Sequence, residues 1–445
     1  MKINSNFDKL TDDYLFATIN TRVQEYLSKD KNAPLFRLGI GDIIEPLQAR
    51  VIQTMVNKSR EMGVKESFKG YCEYSGYPFL KQKVIQYYNA NNIPLDCDDV
   101  FISDGAKSQL SLLLDLFDKG ISVCVPNPVY PVYVDTNVLK GNKVVYIDGN
   151  KSNNFLPIIE TDINFDIIYL CNPNNPTGQV YNKAQLEHFV QYALKNECVI
   201  FYDAAYEAFI FDDEEFGTNT SGGTPRRVSE GIGQVKETTD NTSGGTLRRA
   251  SEGIGQVKET TDNTSGGTPP KSIYEINGAK QCAIEICSLS KTAGFTGLRC
   301  GYTILPKQLN IGGVELHTLF KRLLALSTNG VSYISQCAAA TALDEENVKQ
   351  NRLRLSKILQ NTKIISDALN QLGVYHCGGV CSPYVWMQTP NGVSSWEFFD
   401  LCLSYGVVLT PGCGFGTSGE GFCRLSGFAQ REEILQAVKV FKKIF

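Results

Sequence analysis

The stretch from Glu285 to Arg299, EICSLSKTAGFTGLR, contains residue types that can do covalent chemistry. A β-type run ends at Cys287, and Lys291 follows it after Ser-Leu-Ser. A lysine between small hydroxyl residues, with Arg299 eight positions further on, suits a Schiff-base lysine beside an anchored phosphate, because nearby cations and partial desolvation favour loss of the amine proton. Taken alone, the tetrapeptide Ser-Leu-Ser-Lys favours a solvated surface lysine, so the rest of the chain must decide.

Short β-rich runs alternate with helical segments from Val100 onward. The runs are apolar on both faces, which predicts a largely parallel central sheet covered by helices. In such a sheet the ligand binds outside the carboxyl ends of the strands. The residues that follow each run are therefore the informative ones; the runs lie at 100–103, 121–125, 143–147, 166–170, 198–202, 282–287 and 299–305.

Polar or aromatic residues follow several of these runs. Asp104-Gly105-Ala106-Lys107 opens a helix whose free backbone N–H groups could hold a phosphate. A prolyl turn presents Tyr130, which could stack on a flat ring or simply be buried in the turn. Residues 171–178, CNPNNPTG, form a tight turn before a helix. Asp203 ends an apolar strand, where its carboxylate needs a partner such as a protonated ring nitrogen.

Three further places could contact a ligand. Gly41 follows a short strand and permits close approach of the backbone, although a simple turn explains it equally well. Residues 68–77, FKGYCEYSGY, form an aromatic and glycine-rich loop of the kind that often binds something. Arg424 lies in an apolar strand after a glycine-rich loop and suits either bidentate recognition of a carboxylate or a structural bridge between two elements.

The composition indicates a cytoplasmic protein with small-molecule partners. The chain has 445 residues and a formal charge of -4, from 47 acidic and 43 basic residues spread along it, which argues against nucleic acid or an anionic membrane as the main partner. No apolar run approaches the roughly 20 residues of a membrane helix, and the first residues lack the pattern of a secretory signal. The 14 cysteines include no C-x-x-C pair and are expected to be reduced.

A tandem repeat interrupts the globular pattern. Residues 220–241 recur at 242–263 with only Pro225 changed to Leu247 and Val228 to Ala250, and a third copy begins at Thr264. The repeat has few apolar positions, which predicts a disordered surface loop over 220–269. With this insert set aside, we predict an N-terminal arm joining the small domain (1–45), a large domain (46–305), and an interdomain helix with a smaller α+β domain (306–445).

Taken as a set, these motifs closely resemble the fold type I pyridoxal phosphate aminotransferases. Asn-Asn-Pro-Thr-Gly, Asp-x-x-Tyr and Ser-x-Ser-Lys occur in that order, at 174–178, 203–206 and 288–291. Asp203 and Lys291 are 88 positions apart, and removal of the 50-residue insert leaves 38, which is similar to the family. Finer motifs, including RLGIGD (37–42), FKGY (68–71) and PVYPVYVDTNV (128–138), resemble the LL-diaminopimelate aminotransferase subfamily.

The resemblance implies pyridoxal 5'-phosphate as the cofactor, no metal ion, and a role for each matching residue. Lys291 would carry the cofactor and move a proton, Asp203 would keep the ring nitrogen protonated, and Tyr206 would bind the ring hydroxyl oxygen. The other cofactor contacts would come from Asn175, Tyr130, Ala106, Lys107, Ser288, Ser290, Arg299 and the partner subunit's Tyr71. The substrate contacts would come from Arg424, Asn175, Tyr14, Gly41, Lys107, Tyr130, Glu73, Tyr74 and the partner subunit's Asn329.

The implied reaction is reversible amino transfer between LL-2,6-diaminopimelate and 2-oxoglutarate, with tetrahydrodipicolinate and glutamate as products, in a homodimer with shared active sites. One departure from the subfamily bears on the substrate. An acidic residue is common three positions after the equivalent of Tyr71, but here that position is Tyr74, and the acid is Glu73. An aminotransferase for an aromatic or neutral amino acid is therefore the alternative. A cofactor-binding regulator without turnover is a third reading, against which the full set of catalytic groups speaks.

Overall fold

The computed structural model describes residues 1–10, 15–160, 163–211 and 268–445. Tyr14 lies outside the described residues, and so does the predicted loop at 220–269 except for its last two residues. Fifteen strands and twelve α-helices alternate along the described ranges. The strands are β1 (Phe36–Arg37), β2 (Val100–Ser103), β3 (Ser122–Asn127), β4 (Lys143–Asp148), β5 (Ile167–Cys171), β6 (Val199–Asp203), β7 (Ala283–Ser288), β8 (Gly301–Ile304), β9 (Asn310–Ile311), β10 (Val314–Glu315), β11 (His376–Gly378), β12 (Tyr384–Gln388), β13 (Val407–Val408), β14 (Thr410–Pro411) and β15 (Phe422–Ser426).

The α-helices fill the connections between these strands. They are α1 (Leu15–Lys29), α2 (Ala49–Glu61), α3 (Pro78–Asn89), α4 (Ala106–Leu112), α5 (Pro131–Lys140), α6 (Lys183–Asn196), α7 (Leu289–Thr292), α8 (Leu316–Ser327), α9 (Tyr333–Ala342), α10 (Glu345–Gln371), α11 (Ser395–Ser404) and α12 (Arg431–Ile444). Within the described part of the chain, no helix combines the length and the apolar character that crossing a membrane requires.

The main sheet has seven strands in the order β2-β8-β7-β6-β5-β3-β4. All neighbours are parallel except for β8, which runs antiparallel to β2 and β7. Its central strands are buried along their whole length, because helices cover both faces of the sheet. The predicted mostly parallel sheet is confirmed. Its carboxyl edge gathers the ends of β2, β5, β6 and β7, and so positions the residues that follow each of them.

A second, antiparallel sheet has the order β11-β12-β15-β14. The N-terminal part of the chain reaches this region, because β1 pairs in parallel with β13, Phe36 opposite Val407. Side chains from α1 share an apolar cluster with β12 and α11; the cluster includes Leu15, Ile19, Val23, Trp386 and Phe398. The domain limits given above remain a prediction, but this packing brings the segment after β1 against β15.

One predicted element is wrong in detail. The sequence pattern predicts a single helical stretch over 314–343, whereas the structure has β10, α8 and α9, with a break at residues 328–332. Gly330 lies in this break with φ of +85°, and a Cβ there would lie 2.9 Å from the carbonyl oxygen of Glu73. The break is thus set by close packing against the loop that contains Glu73, which apolar periodicity does not reveal. Helix α3 was not predicted. Helix α5 lies between two of the predicted β-rich runs, where the alternation implies a helix, but its bounds were not predicted.

Candidate active site

Lys291 lies one turn beyond the end of β7, at the carboxyl edge of the main sheet. Ser288 ends the strand and caps α7, where its Oγ accepts a hydrogen bond from the backbone N–H of Ser290 at 3.2 Å. The Lys291 amine donates a hydrogen bond to the carbonyl oxygen of Gly41, and lies 5.7 Å from the ring centroid of Phe428. The lysine is therefore a partly buried group held between three segments, and the surface-lysine interpretation does not fit its surroundings.

The environment of Lys291 favours loss of its proton. Burial lowers the pKa of the amine to about 8, because desolvation penalises the ammonium form. The carboxylate of Asp42 opposes this effect, while the cationic side chains of Arg424 and Arg299 lower the pKa further. An amine with such a pKa is substantially neutral near pH 8 and can act as a nucleophile or a general base.

Asp203 ends β6, the strand beside β7, and its carboxylate is buried. One carboxylate oxygen accepts a hydrogen bond from the Tyr133 hydroxyl at 2.5 Å, and the other accepts one from the backbone N–H of Ala205 at 3.1 Å. Desolvation raises the pKa of Asp203 to about 6, and both hydrogen bonds act in the opposite direction. A carboxylate in this position would be stabilised further by a cationic partner.

The residues predicted to hold a phosphate come together where β2 and β7 end. Arg299, whose φ is +58°, donates from Nη1 to Ser290 Oγ at 3.1 Å. Gly105 precedes α4, and a Cβ at that position would lie 2.6 Å from Arg299 Nη2. The buried Ala106 and the exposed Lys107 begin the helix. The glycine therefore leaves room for the guanidinium beside the first turn of α4. Ser288 lies at the end of β7, which β8 separates from β2.

Arg424 is the most buried charged group of the site. It lies in β15 with 2% of its surface exposed, and donates from Nη1 to Asn175 Oδ1 at 2.7 Å and from Nη2 to the carbonyl oxygen of Gly39 at 2.8 Å. Its guanidinium carbon lies 4.3 Å from the ring centroid of Tyr384. The Tyr384 hydroxyl is 2.8 Å from that of Tyr206. These contacts join β12 and β15 of the small sheet to the turns that follow β5 and β6.

The segment after β1 needs its glycines for close approach. A Cβ on Gly41 would lie 2.3 Å from the Tyr384 hydroxyl oxygen, and one on Gly39 would lie 2.7 Å from the backbone of Leu409. The backbone of this segment then presents two carbonyl oxygens to two basic side chains, since Gly39 accepts from Arg424 and Gly41 from Lys291. Sequence alone left open whether Gly41 was a simple turn; the structure places its backbone within the site.

The loop over residues 71–74 lies at the surface, against the break between α8 and α9. The thiol of Cys72 is 3.5 Å from the carbonyl oxygen of Asn329, and Tyr71 is 89% exposed. Glu73 and Asn329 are exposed as well, whereas the Tyr74 side chain is half-buried and packs on the apolar core. Tyr71, Glu73 and Asn329 are thus exposed in the single chain, and their roles in a partner's site remain predictions.

Tyr133, Tyr384 and Phe428 contact site residues but were not predicted. Tyr133 lies three positions after Tyr130, in the repeated Pro-Val-Tyr of PVYPVY, and that repetition was the available signal. Tyr130 is the residue before α5 and packs edge-on against Tyr133, with ring centroids 5.8 Å apart. Tyr384 lies in β12, which pairs with β15, and Phe428 lies two residues after β15. Both reach the site through the small sheet, which a linear pattern does not show.

Comparison with known proteins places this chain in a family. The model of the family "Aminotransferase class I and II" matches residues 33–247 and 255–441. The chain therefore belongs to the class I and II aminotransferases, a family that in general depends on pyridoxal phosphate and acts on amino acids and 2-oxo acids.

Within the family, the similarity extends to one kind of enzyme. The chain is 38% identical to the LL-diaminopimelate aminotransferase of Lawsonia intracellularis, over 99% of this chain and 98% of that protein. It superimposes on L,L-diaminopimelate aminotransferase from Chlamydomonas reinhardtii with a TM-score of 0.83 at 32% identity, covering 100% and 99% of the two chains. A mutant of Thermus thermophilus aspartate aminotransferase shares the fold, with a TM-score of 0.77 at 18% identity and full coverage of both chains. The predicted fold type, family and subfamily are confirmed.

Proposed function

We propose that this chain transfers an amino group reversibly between LL-2,6-diaminopimelate and 2-oxoglutarate, with pyridoxal phosphate as the cofactor. The observation that carries the proposal is the short backbone segment Gly39–Gly41, which contacts two basic side chains of the site. The carbonyl oxygen of Gly39 accepts a hydrogen bond from Arg424, and that of Gly41 accepts one from Lys291. An α-amino acid has a carboxylate and an amine on one carbon, so a cationic guanidinium and a neutral amine held by one backbone segment suit that class of substrate.

The residues present fit pyridoxal phosphate in three respects. The buried Asp203 carboxylate suits a protonated ring nitrogen, because a cation would offset its desolvation. Arg299 and Ser290, already hydrogen-bonded to each other, suit a phosphate. Lys291, whose pKa is lowered to about 8, suits covalent attachment of an aldehyde. When bound, the cofactor supplies an electron sink for negative charge on the substrate Cα.

The side chains of the chain perform the remaining tasks. Lys291 in its neutral form acts as a general base and removes the proton from the substrate Cα. The protonated lysine then acts as a general acid and donates that proton in the next step. Asp203, ionised, holds a proton on the ring nitrogen. Arg424 binds the α-carboxylate, and Asn175 both fixes the guanidinium through its Oδ1 and retains an amide nitrogen as a donor. Tyr206, hydrogen-bonded to Tyr384, offers its hydroxyl to the ring oxygen.

The substrate assignment rests on the relatives and on Glu73. Diaminopimelate has a second ammonium group, which needs an acidic partner far from Lys291. Tyr74 stands at the position where the subfamily commonly has an acid, but its side chain packs on the core, whereas the neighbouring Glu73 is exposed. The orientation of the loop therefore favours Glu73 as the group that binds the distal ammonium.

A homodimer would bring that loop to a second active site. Apolar side chains of α2 and of the loop that follows it are left exposed in the single chain, which is typical of a surface that another subunit covers. They are Ile52, Val56, Val64, Phe68 and Tyr71. We infer that the partner subunit's Tyr71, Glu73 and Asn329 complete each site.

The purified enzyme tests the assignment directly. Loaded with pyridoxal phosphate and given 2-oxoglutarate, it is expected to form glutamate from LL-diaminopimelate with a kcat/KM at least about tenfold above that for phenylalanine or leucine, because recognition of the charged distal group contributes about 1.5–3 kcal/mol. Glutamate production is followed by chromatography. A higher kcat/KM for phenylalanine or leucine would support the alternative amino-acid class and overturn this one.

Glu73 and Tyr74 provide a matched pair of variants. Glu73→Gln is expected to raise KM for LL-diaminopimelate about tenfold or more, with little effect on glutamate as the amino donor, because glutamate has no distal ammonium. Tyr74→Phe keeps the half-buried ring and should leave KM for both substrates nearly unchanged. The opposite pattern, with loss in Tyr74→Phe and none in Glu73→Gln, would assign the distal contact to Tyr74.

Hybrid dimers show whether Glu73 acts across the subunit interface. A mixture of Lys291→Ala and Glu73→Gln subunits contains hybrids in which one site has Lys291 from one subunit and an intact Glu73 from the other. Recovery of wild-type KM for LL-diaminopimelate in those hybrids is expected if the contact is made in trans. A KM that stays at the Glu73→Gln value would mean that Glu73 serves its own subunit.

A further inference from the structure

The hydroxyl of Tyr133 is one of two hydrogen-bond donors to the Asp203 carboxylate. It donates to Asp203 Oδ2 at 2.5 Å, a distance typical of a strong hydrogen bond to a charged acceptor. The tyrosine is fully buried, on the inner face of α5. Buried hydroxyl groups are normally hydrogen-bonded, and the partner of this one is the carboxylate of Asp203 at the end of β6.

The position of Tyr133 is fixed from several sides. Its ring stacks on that of Tyr169, with centroids 4.9 Å apart and planes inclined by 20°. Asn137, one turn further along α5, donates to the carbonyl oxygen of Tyr133 at 2.8 Å and to the hydroxyl of Tyr169 at 3.1 Å. The hydroxyl therefore meets the carboxylate without needing to be ordered at each turnover, which is the condition for a positioning group.

Tyr133 also lies beside the predicted ring-stacking residue. Tyr130 and Tyr133 are three positions apart, and their rings meet edge to face at an angle of 88°. One short segment thus presents a surface for a flat ring and a donor for the carboxylate expected to contact that ring. Packing alone would be satisfied by phenylalanine at this position, so the hydroxyl needs its own explanation.

We propose that Tyr133 is a positioning residue for the reaction: its hydroxyl fixes the orientation of the Asp203 carboxylate and keeps it ionised, so that Asp203 can hold a proton on the ring nitrogen of bound pyridoxal phosphate. This inference rests on the proposed function. Tyr133 acts only through Asp203 and touches neither the substrate nor the reacting atoms. Each carboxylate oxygen still has a further lone pair available, since an ionised carboxylate can accept about four hydrogen bonds.

Tyr133→Phe removes the hydroxyl and keeps the stacked ring. Tyr169→Phe is the matched control, because it removes a buried hydroxyl from the same stack that does not contact Asp203. The dissociation constant of pyridoxal phosphate from each apo-enzyme is measured by equilibrium ultrafiltration. Tyr133→Phe is expected to weaken binding about tenfold or more, and Tyr169→Phe by less than about threefold.

A cofactor analogue with carbon in place of the ring nitrogen separates positioning from general damage. The analogue has no ring proton for Asp203 to hold, so wild type and Tyr133→Phe should bind it equally. With ring-¹⁵N-labelled pyridoxal phosphate, the nitrogen signal of Tyr133→Phe should shift toward that of unprotonated pyridine, while that of Tyr169→Phe should match wild type. Both effects require the ring nitrogen, and a purely structural role would produce neither.

The outcomes also distinguish this inference from the proposed function. Equal weakening for cofactor and analogue, or an unchanged ¹⁵N signal in Tyr133→Phe, would overturn the role of Tyr133 while wild type still binds the cofactor. Failure of the wild-type protein to bind pyridoxal phosphate at all would overturn the proposed function itself. Thermal unfolding of each variant shows whether a loss of binding reflects loss of the fold.

Discussion

Replacement of Lys291 by alanine is expected to lower the rate of amino transfer by at least about 10⁴-fold, the upper end of what one acid–base group contributes. The variant loses both the covalent attachment of the cofactor and the group that moves the proton at the substrate Cα. Phosphate and ring contacts do not involve the amine, so the cofactor should still bind. Single-turnover formation of glutamate gives the rate, and borohydride reduction followed by mass spectrometry tests attachment.

Lys349→Ala is the control for Lys291→Ala, since Lys349 is exposed on α10 and pairs with Glu345. It should retain wild-type turnover and covalent attachment. If borohydride-treated Lys291→Ala protein still has a mass that includes the cofactor, another lysine is the anchor. The site geometry makes that outcome unexpected, because Lys291 is the lysine held against Gly41 and Phe428.

The pKa of Lys291, lowered to about 8, gives this prediction a pH dependence. Below that pH the amine is protonated and cannot attack an aldehyde; above it the amine is neutral. Capture of pyridoxal, which lacks the phosphate, should therefore accelerate about tenfold per pH unit below pH 8 and level off above it. Asp42→Asn should move the midpoint to lower pH, because the Asp42 carboxylate raises the pKa of the amine. A midpoint near that of a free lysine would contradict the desolvated environment.

Much of the large sheet could be predicted from the sequence, because its strands are buried on both faces. The run at 100–103 matches β2, and the runs at 166–170 and 198–202 are each displaced by one residue from β5 and β6. Continuous apolar runs with polar residues at their ends leave little ambiguity. The helix break at 328–332 was missed because it is set by contact with the loop over residues 71–74, which is a feature of tertiary packing rather than of local sequence.

The site residues also differ in whether the sequence could predict them. Asp203 ends β6, Lys291 follows β7, and Arg299 lies just before β8. The sequence order of the motifs was sufficient to group them. Tyr384 was missed because it reaches Tyr206 only through the pairing of β12 with β15 and the docking of that sheet on the turn after β6. The partner-subunit roles of Tyr71 and Asn329 remain predictions, since they depend on an arrangement of two chains.

Replacement of Arg424 by lysine is expected to lower kcat/KM for LL-diaminopimelate by about 10²–10³-fold, even though the charge is kept. The guanidinium uses two nitrogens at once, for Asn175 and Gly39, and stacks on Tyr384. An ammonium group cannot reproduce that planar fork, nor present a second donor to the substrate carboxylate in the same plane. Steady-state kinetics with LL-diaminopimelate and 2-oxoglutarate measure the loss.

The amine 1,5-diaminopentane separates carboxylate recognition from structural damage, because it has the same carbon chain and amines as diaminopimelate without the carboxylates. Wild type should prefer diaminopimelate strongly, and Arg424→Lys should lose most of that preference while its slow reaction with the diamine is little changed. Arg431→Lys, an exposed arginine at the start of α12, should behave as wild type. Equal losses with both substrates in Arg424→Lys would instead mean that Arg424 supports the fold around Asn175 and Gly39. The segment Gly39–Gly41 argues for recognition, because it holds the Arg424 guanidinium close to the Lys291 amine. The charge of that guanidinium lowers the pKa of the amine and so helps to keep it neutral.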